Sequence, residues 1–128
     1  MIVLDTHAWI WWASSPDKLS PAARRAIDEA RKIGVSAISC WEIATLIRKD
    51  RLELDRDVSD WLALAATLPR LSVIPVDAGI GERAGSIDSG FHGDPADRII
   101  VATALQHKAF LITRDELIAR SKLVPCTW

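Results

Sequence analysis

Five carboxylates fall where an α/β domain could use them for chemistry. Asp5 directly follows the run Ile2-Val3-Leu4, and Asp115 comes just after Ala109-Phe110-Leu111-Ile112 and the pair Thr113-Arg114. Glu42 sits in the first turn of the helical stretch that follows Val35-Ser36-Ala37-Ile38, while Asp94 and Asp97 flank the start of another, opened by Pro95. In open α/β sheets ligands bind beyond the carboxyl ends of the strands, so these positions share one functional edge. Carboxylates gathered at one edge repel each other unless a cation neutralises them. Magnesium, or manganese in its place, suits that role because it is hard, prefers oxygen ligands and keeps several waters. Such an ion lowers the pKa of a bound water and offsets the charge of a phosphate under attack. No His/Cys ligand set accompanies the acids, which argues against structural zinc. The chemistry implied is hydrolysis of a phosphodiester by metal-activated water.

Each acid also has a plainer explanation. Asp5 can cap a helix starting at Thr6, Asp94 can cap the Pro95 helix, and Asp115 can cap a last short helix from Glu116. Glu42 can be the capping-box partner of Ser39. Asp97 is favoured by the helix dipole in any first turn, catalytic or not.

The elements that must hold these residues alternate between apolar runs and stretches of helical period, the pattern of a parallel sheet with crossover helices. Strands are predicted at Ile2-Val3-Leu4, Val35 to Ile38, Leu71 to Ile74 and Ala109 to Ile112, with a short fifth at Leu123-Val124. Helices are predicted over Thr6 to Ala13, Ala22 to Lys32, a segment capped by Ser39, Val58 to Leu68, Ala78 to Ile87, and Pro95 to His107. Ser20-Pro21 reads as an N-cap followed by proline at the first helical position, and Gly34 as the glycine that ends the second helix. Ser89-Gly90-Phe91-His92-Gly93 reads as a loop.

The chain of 128 residues fits one domain spanning 1–128, and the 49% hydrophobic and 26% charged residues are near the averages for a globular protein. Cys40 and Cys126 show neither zinc-like nor CxxC spacing and read as small core residues in a reducing compartment. The opening Met-Ile-Val-Leu-Asp lacks a basic region and a long apolar stretch, so no signal peptide is expected. No apolar run reaches membrane-spanning length. The reading is cytoplasmic. The formal net charge is −1, from 16 basic and 17 acidic residues, a poor global footprint for a nucleic-acid binder. Attraction of RNA would then depend on local arginines and bound metal. Arg98 and Arg114, each next to an acid, are candidates for phosphate contacts. Arg48, Lys49 and Arg51 form a basic cluster, more simply read as a solvated helix end. The six tryptophans suit core packing. Trp9 and Trp12 share a helical face and Trp11 points elsewhere; an exposed one could serve a partner chain. The three histidines, His7, His92 and His107, show no ligand spacing, although His7 and His92 could come near the acids.

The segments around the acids resemble the PIN-domain family. Leu4-Asp5-Thr6-His7 is similar to its opening motif, Ser39-Cys40-Trp41-Glu42-Ile43-Ala44 to its second, His92-Gly93-Asp94-Pro95-Ala96-Asp97-Arg98 to its third, and Ile112-Thr113-Arg114-Asp115 to its fourth. Within the family the likeness is to VapC-type toxins of bacterial toxin–antitoxin systems. The resemblance implies a PIN-like three-layer α/β/α domain around a central parallel sheet of four to five strands. It implies a magnesium-dependent RNA endonuclease with Asp5, Glu42, Asp97 and Asp115 as the acidic set. Asp5 and Asp97 would be the principal metal ligands, Glu42 would orient water or a second ion, and Asp115 would complete the pocket. Asp94 would be a cap or an auxiliary ligand, and Thr6 and Thr113 would orient carboxylates. A homodimer, an RNA substrate and a small cognate antitoxin come with the same resemblance. The sequence departs from the family pattern at His7, where asparagine is common, and at Ala96, where a bulkier aromatic is common. Both bear on the shape of the site rather than its charge.

Two other enzyme classes fit less well. An acidic phosphatase or phosphotransferase site needs a second acid two residues after the nucleophilic aspartate, and position 7 is His. A receiver domain needs clustered early acids and a lysine on a late strand, whereas Lys108 precedes its strand. A catalytically inactive PIN-like binding module would be marked by a missing pocket acid, and all four are present.

Overall fold

The computed structural model describes residues 1–88 and 90–128; Ser89, part of the predicted loop, lies outside the described residues. Chain order gives β1 (Ile2–Leu4), α1 (Thr6–Ser14), a short 3₁₀ turn (Pro16–Lys18), α2 (Pro21–Glu29), β2 (Ile33–Ser36), α3 (Ala37–Arg48) and α4 (Val58–Ala65). There follow β3 (Leu71–Ile74), α5 (Ala78–Ser86), α6 (Pro95–Gln106), β4 (Phe110–Ile112), α7 (Glu116–Ser121) and β5 (Cys126–Thr127). The five strands form one parallel sheet in the order β3-β2-β1-β4-β5.

Both faces of this sheet are covered, as all-parallel sheets require. The two-residue side-chain period of a strand sorts the core into two layers. Leu4, Val35 and Ile112 face one cluster, built with Trp9, Ala23, Ile27, Ile43 and Trp61 from the first four helices. Val3 and Leu111 face the other, with Ile80, Ala84, Ile100, Val101 and Ile118 from α5, α6 and α7. The result is the expected PIN-like α/β/α arrangement, with a five-stranded sheet.

Connectivity places a crevice at its middle. From β1 the chain steps outward to β2 and β3, then returns to the other side of β1 for β4 and β5. Crossovers therefore leave β1 and β4 in opposite directions, which opens the sheet edge between the carboxyl ends of these neighbours. Asp5 follows one strand and Thr113 the other.

Boundaries differ from the sequence expectation at three places. The second strand begins at Ile33 and takes in Gly34, which does not end the preceding helix. That helix stops at Glu29, where Ala30 turns extended, and the Arg70 guanidinium, reaching from before β3, satisfies the carbonyls of Ile27 and Ala30. Gly34 serves packing instead: a Cβ there would lie 2.5 Å from Ile74 Cδ1 and 2.8 Å from Met1 Cε. The next helix is capped by Ser36, which accepts from the Ile38 N–H at 3.2 Å, so Ser39 is not the cap and Glu42 is not its capping-box partner. Glu42 falls in the second turn of α3, one turn later than expected. The fifth strand pairs at Cys126–Thr127 rather than Leu123-Val124. Both cysteines are free.

Candidate active site

A cleft of about 450 Å³ opens at the crevice, and its walls include Asp5, Glu42, Asp97 and Asp115 together with Thr6, His7, Trp11 and Arg114. The acids arrive from separate elements. Asp5 ends β1, Glu42 stands on α3, Asp97 is in the first turn of α6, and Asp115 precedes α7.

Capping and clustering turn out to be one arrangement. Asp5 caps α1, accepting from the Ala8 N–H at 2.8 Å. Asp94 caps α6, accepting from the Asp97 N–H at 3.0 Å. Asp115 caps α7, accepting from Leu117 N–H at 2.8 Å and Ile118 N–H at 3.1 Å. An N-cap lies beside the positive end of the helix dipole, so the helices offset part of the charge they help to gather. Asp94 is exposed and does not line the cleft; it acts on Asp97 from behind.

Two threonines fix the acids from underneath. Thr6 Oγ1 lies against Glu42 Oε1 and 2.9 Å from the buried Ser39 hydroxyl. Having one proton, it donates to the carboxylate and takes the Ser39 proton as acceptor. Thr113 Oγ1 donates to Asp5 Oδ2 and accepts from the Asp115 N–H at 3.0 Å. The orienting role expected for Thr6 and Thr113 has its geometry; the contribution of Ser39 escaped the sequence reading, because a serine in a first turn looks like a cap.

Electrostatics follow from burial and crowding. Burial raises the Asp5 carboxyl above the usual carboxylate range, and the bonds from Thr113 and Ala8 pull against that rise. Asp97 is pushed from 3.8 to about 7, first by desolvation and then by the charges of Asp94, Asp115, Glu42 and Asp5. The imidazole Nε2 of His92 approaches Asp97 Oδ2 to 3.2 Å, but off the hydrogen-bonding direction, and among the described residues this buried nitrogen has no hydrogen-bond partner. A cleft whose crowded acids raise one another is short of positive charge. Among the described residues, no three carboxylate, imidazole or thiol groups close around a point as a ready-made cage.

The arginines part company. Arg98, expected at phosphate, is committed to structure: its guanidinium donates to the carbonyls of Ala84 at 3.1 Å, Phe91 at 3.3 Å, His92 at 3.3 Å and Ile87. It ties the end of α5 to the turn before α6, so four carbonyls already occupy the guanidinium expected at phosphate. Arg114 lines the cleft, is exposed and, among the described residues, makes no hydrogen bond or ion pair. Its guanidinium carbon stands 6.0 Å from the centre of the Trp11 ring. Arg48, Lys49 and Arg51 are exposed at the end of α3, as a solvated helix end would be. Of the tryptophans, Trp9 and Trp61 pack edge to face at 5.4 Å in the core, whereas Trp41 is 55% exposed. Trp11 is the cleft residue that the sequence reading passed over, although its place off the Trp9 face was a signal.

Comparison with known proteins agrees with this geometry. The family described as PIN domain matches residues 2–122. The chain is 39% identical over 114 residues to the ribonuclease VapC22 of Mycobacterium tuberculosis, covering 89% of this chain and 86% of that protein. Among solved structures it superposes on VapBC2 from Rickettsia felis bound to a promoter DNA fragment with a TM-score of 0.72 at 17% identity, covering 99% and 98% of the two chains. FitAcB from Neisseria gonorrhoeae gives 0.65 at 24% identity, covering 100% and 97%. At these identities the superpositions speak for the fold alone.

Proposed function

The chain belongs to the PIN-domain family, and from that premise we propose that it is a metal-dependent endoribonuclease acting as the toxin of a toxin–antitoxin pair. The observation that carries this reading is the meeting of Asp5, Glu42, Asp97 and Asp115, from four elements, in one cleft at the switch point of the sheet. The ribonuclease VapC22 supports the substrate class, and a toxin–antitoxin complex from Klebsiella pneumoniae among the structural neighbours supports the biological setting. Asp5, Glu42, Asp97 and Asp115 are then the catalytic acids.

The donor set fits magnesium. It is all oxygen, overloaded with negative charge, and open, whereas magnesium is held by one or two carboxylates and keeps its waters. Asp5 and Asp97 would hold the ion, and manganese would serve on the same donors. When bound, the cation supplies activation of the attacking water and neutralisation of the phosphate. The chain's own residues do the rest. Thr113 holds Asp5 in one orientation, Thr6 holds Glu42, and Arg114 brings a cation to the cleft lining for the nucleotide being cut. Burial and the neighbouring acids hold the Asp97 carboxyl up near 7, and a cation on the same donors would favour its ionised form. In-line hydrolysis at such a site leaves a 5′-phosphate and a 3′-hydroxyl.

A small cognate antitoxin and a second copy of the chain are the protein partners this reading calls for, and the cytoplasm is its setting. Among the described residues no helix is long and apolar enough to cross a membrane. The decisive experiment is to incubate the purified chain, freed of any partner, with a mixed RNA pool in magnesium, in manganese and in EDTA. Asp5→Asn and Asp97→Asn are run beside it. Cleavage that needs the ion and both carboxylates is expected. Cleavage that persists in EDTA, or no cleavage and no magnesium binding by folded protein, overturns the proposal.

A further inference from the structure

The acidic cleft has one aromatic wall, and that wall is unlike the other tryptophan sites. Trp9 is fully buried, and its indole N–H donates to the Ala65 carbonyl at 3.3 Å. Trp11 lies two residues on, about 200° around the same helix, which brings it to the margin of the core, half-buried, with part of its ring lining the cleft. Its ring is steadied by His7 and by Trp128, each with ring centres 5.6 Å away and tilted by 54° and 56°. Tilted neighbours hold a ring in place without stacking flat on its face. Over it stands the Arg114 guanidinium, at 6.0 Å.

That distance is long for a settled cation–π contact, which weakens beyond about 6 Å. It is close to what an inserted ring needs. A planar group sandwiched between two others requires about 3.5 Å on each side, roughly 7 Å in all. Arg114 is exposed and, among the described residues, makes no hydrogen bond or ion pair, so its guanidinium is free to lift and admit a ring. Purine and pyrimidine rings stack well on both indole and guanidinium planes. The gap adjoins the carboxylates, so a base held there belongs to a nucleotide beside the phosphate being cut.

We propose that Trp11 and Arg114 form a slot that stacks one nucleobase next to the scissile phosphate, which makes these two side chains the base-holding residues of the cleft. This rests on the ribonuclease reading above. A base in a duplex is stacked on its neighbours and cannot enter the slot without being unpaired. The slot also answers the charge problem: with a formal net charge of −1, the chain gains through stacking some of the affinity that it lacks in long-range attraction.

The test begins by mapping the best-cut site in an RNA pool and making a 16-mer around it. This oligonucleotide is used alone, annealed to its complement, and with an abasic site on either side of the cut. Wild type, Trp11→Phe, Trp11→Leu and Arg114→Ala are compared for kcat and KM, with circular dichroism and melting to verify folding. Trp11→Leu is expected to raise KM about tenfold or more with little change in kcat, and Trp11→Phe to retain most affinity. The complement is expected to suppress cleavage. An abasic site at the slotted nucleotide should cost the wild type as much as Trp11→Leu does, and should cost Trp11→Leu nothing further. Additive losses, or equal cleavage of the duplex, overturn the slot while leaving the ribonuclease standing. A folded wild type that cuts no RNA removes the ribonuclease reading and the slot with it.

Discussion

The Thr113 hydroxyl donates to Oδ2 of Asp5, joining residues 108 apart in sequence at the ends of two neighbouring strands. The same oxygen accepts from the Asp115 backbone N–H at 3.0 Å, so one side chain orients the Asp5 carboxylate and ties it to the main chain at a second pocket acid. We predict that Thr113→Val, which keeps the shape and removes the hydroxyl, costs about 1–3 kcal/mol by leaving buried polar groups unpaired. The bond from Thr113 lowers the Asp5 carboxyl, so its loss raises that carboxyl further. The acid limb of the pH–rate profile should move to higher pH, and Thr113→Ser should restore it. An acid limb that stays put in Thr113→Val would show that this bond does not tune Asp5.

The second prediction concerns pH and metal. Asp97 is higher in the fold, at about 7, than its ordinary 3.8. A group with a raised native pKa stabilises the fold while it is protonated; that contribution is complete below about pH 3.8 and is lost as pH rises through about 7. The chelated chain should therefore melt lower at pH 8 than at pH 5.5. At pH 8, Asp97→Asn should raise Tm by roughly 4 °C, on the order of 1 kcal/mol, because it removes a like charge from the cluster. Asp5 shifts in the same direction and remains, so the slope should shrink rather than vanish. Magnesium should raise the wild-type Tm at pH 8 more than that of the variant. Parallel Tm–pH curves for the two proteins would contradict the assignment.

Arg98 supplies a third. A lysine keeps the charge but offers one ammonium in place of a planar fork. Because four carbonyls depend on that fork, Arg98→Lys should cost about 2–4 kcal/mol in chemical denaturation. The KM for RNA should change little at temperatures where the variant is folded. Arg114→Ala should do the reverse, sparing stability and raising KM. If Arg98→Lys instead left stability intact and weakened RNA binding, the phosphate role expected from sequence would be reinstated.

How far the sequence could be read depended on whether one local signal had one cause. The strand at Ile2–Leu4 and the helix opened by Pro95 stood where patterning put them, because buried β-branched runs and a proline at the first helical position have few other uses. Gly34 misled because glycine ends helices often, whereas here it sits inside a strand with the tips of Ile74 and Met1 packed over it. Ser39 misled in the same way: two serines three residues apart, Ser36 and Ser39, can each cap, and only packing of Ser39 on Thr6 decides between them. Placing the acids on the sheet edge was legible, since it needed only strand ends. The different fates of Arg98 and Arg114 were not, since both stand next to an acid and only the fold reveals which one has carbonyls to satisfy.

The last prediction separates the two roles that Asp115 combines. Its carboxylate caps α7 through the N–H groups of Leu117 and Ile118, and it also lines the cleft. A serine at an N-cap accepts the same kind of bond without the charge, whereas alanine accepts none. Asp115→Ala should therefore lose about 1 kcal/mol of stability, and Asp115→Ser only a few tenths. If the charge belongs to the catalytic set, RNA cleavage should fall by a comparable and large factor in both variants, with Asp115→Asn grouped with them. The fall should be partly relieved by raising the magnesium concentration, because one fewer carboxylate weakens retention of the ion. Should Asp115→Ser cleave like the wild type while Asp115→Ala does not, the residue is a cap that borders the cleft, and the acidic set reduces to Asp5, Glu42 and Asp97.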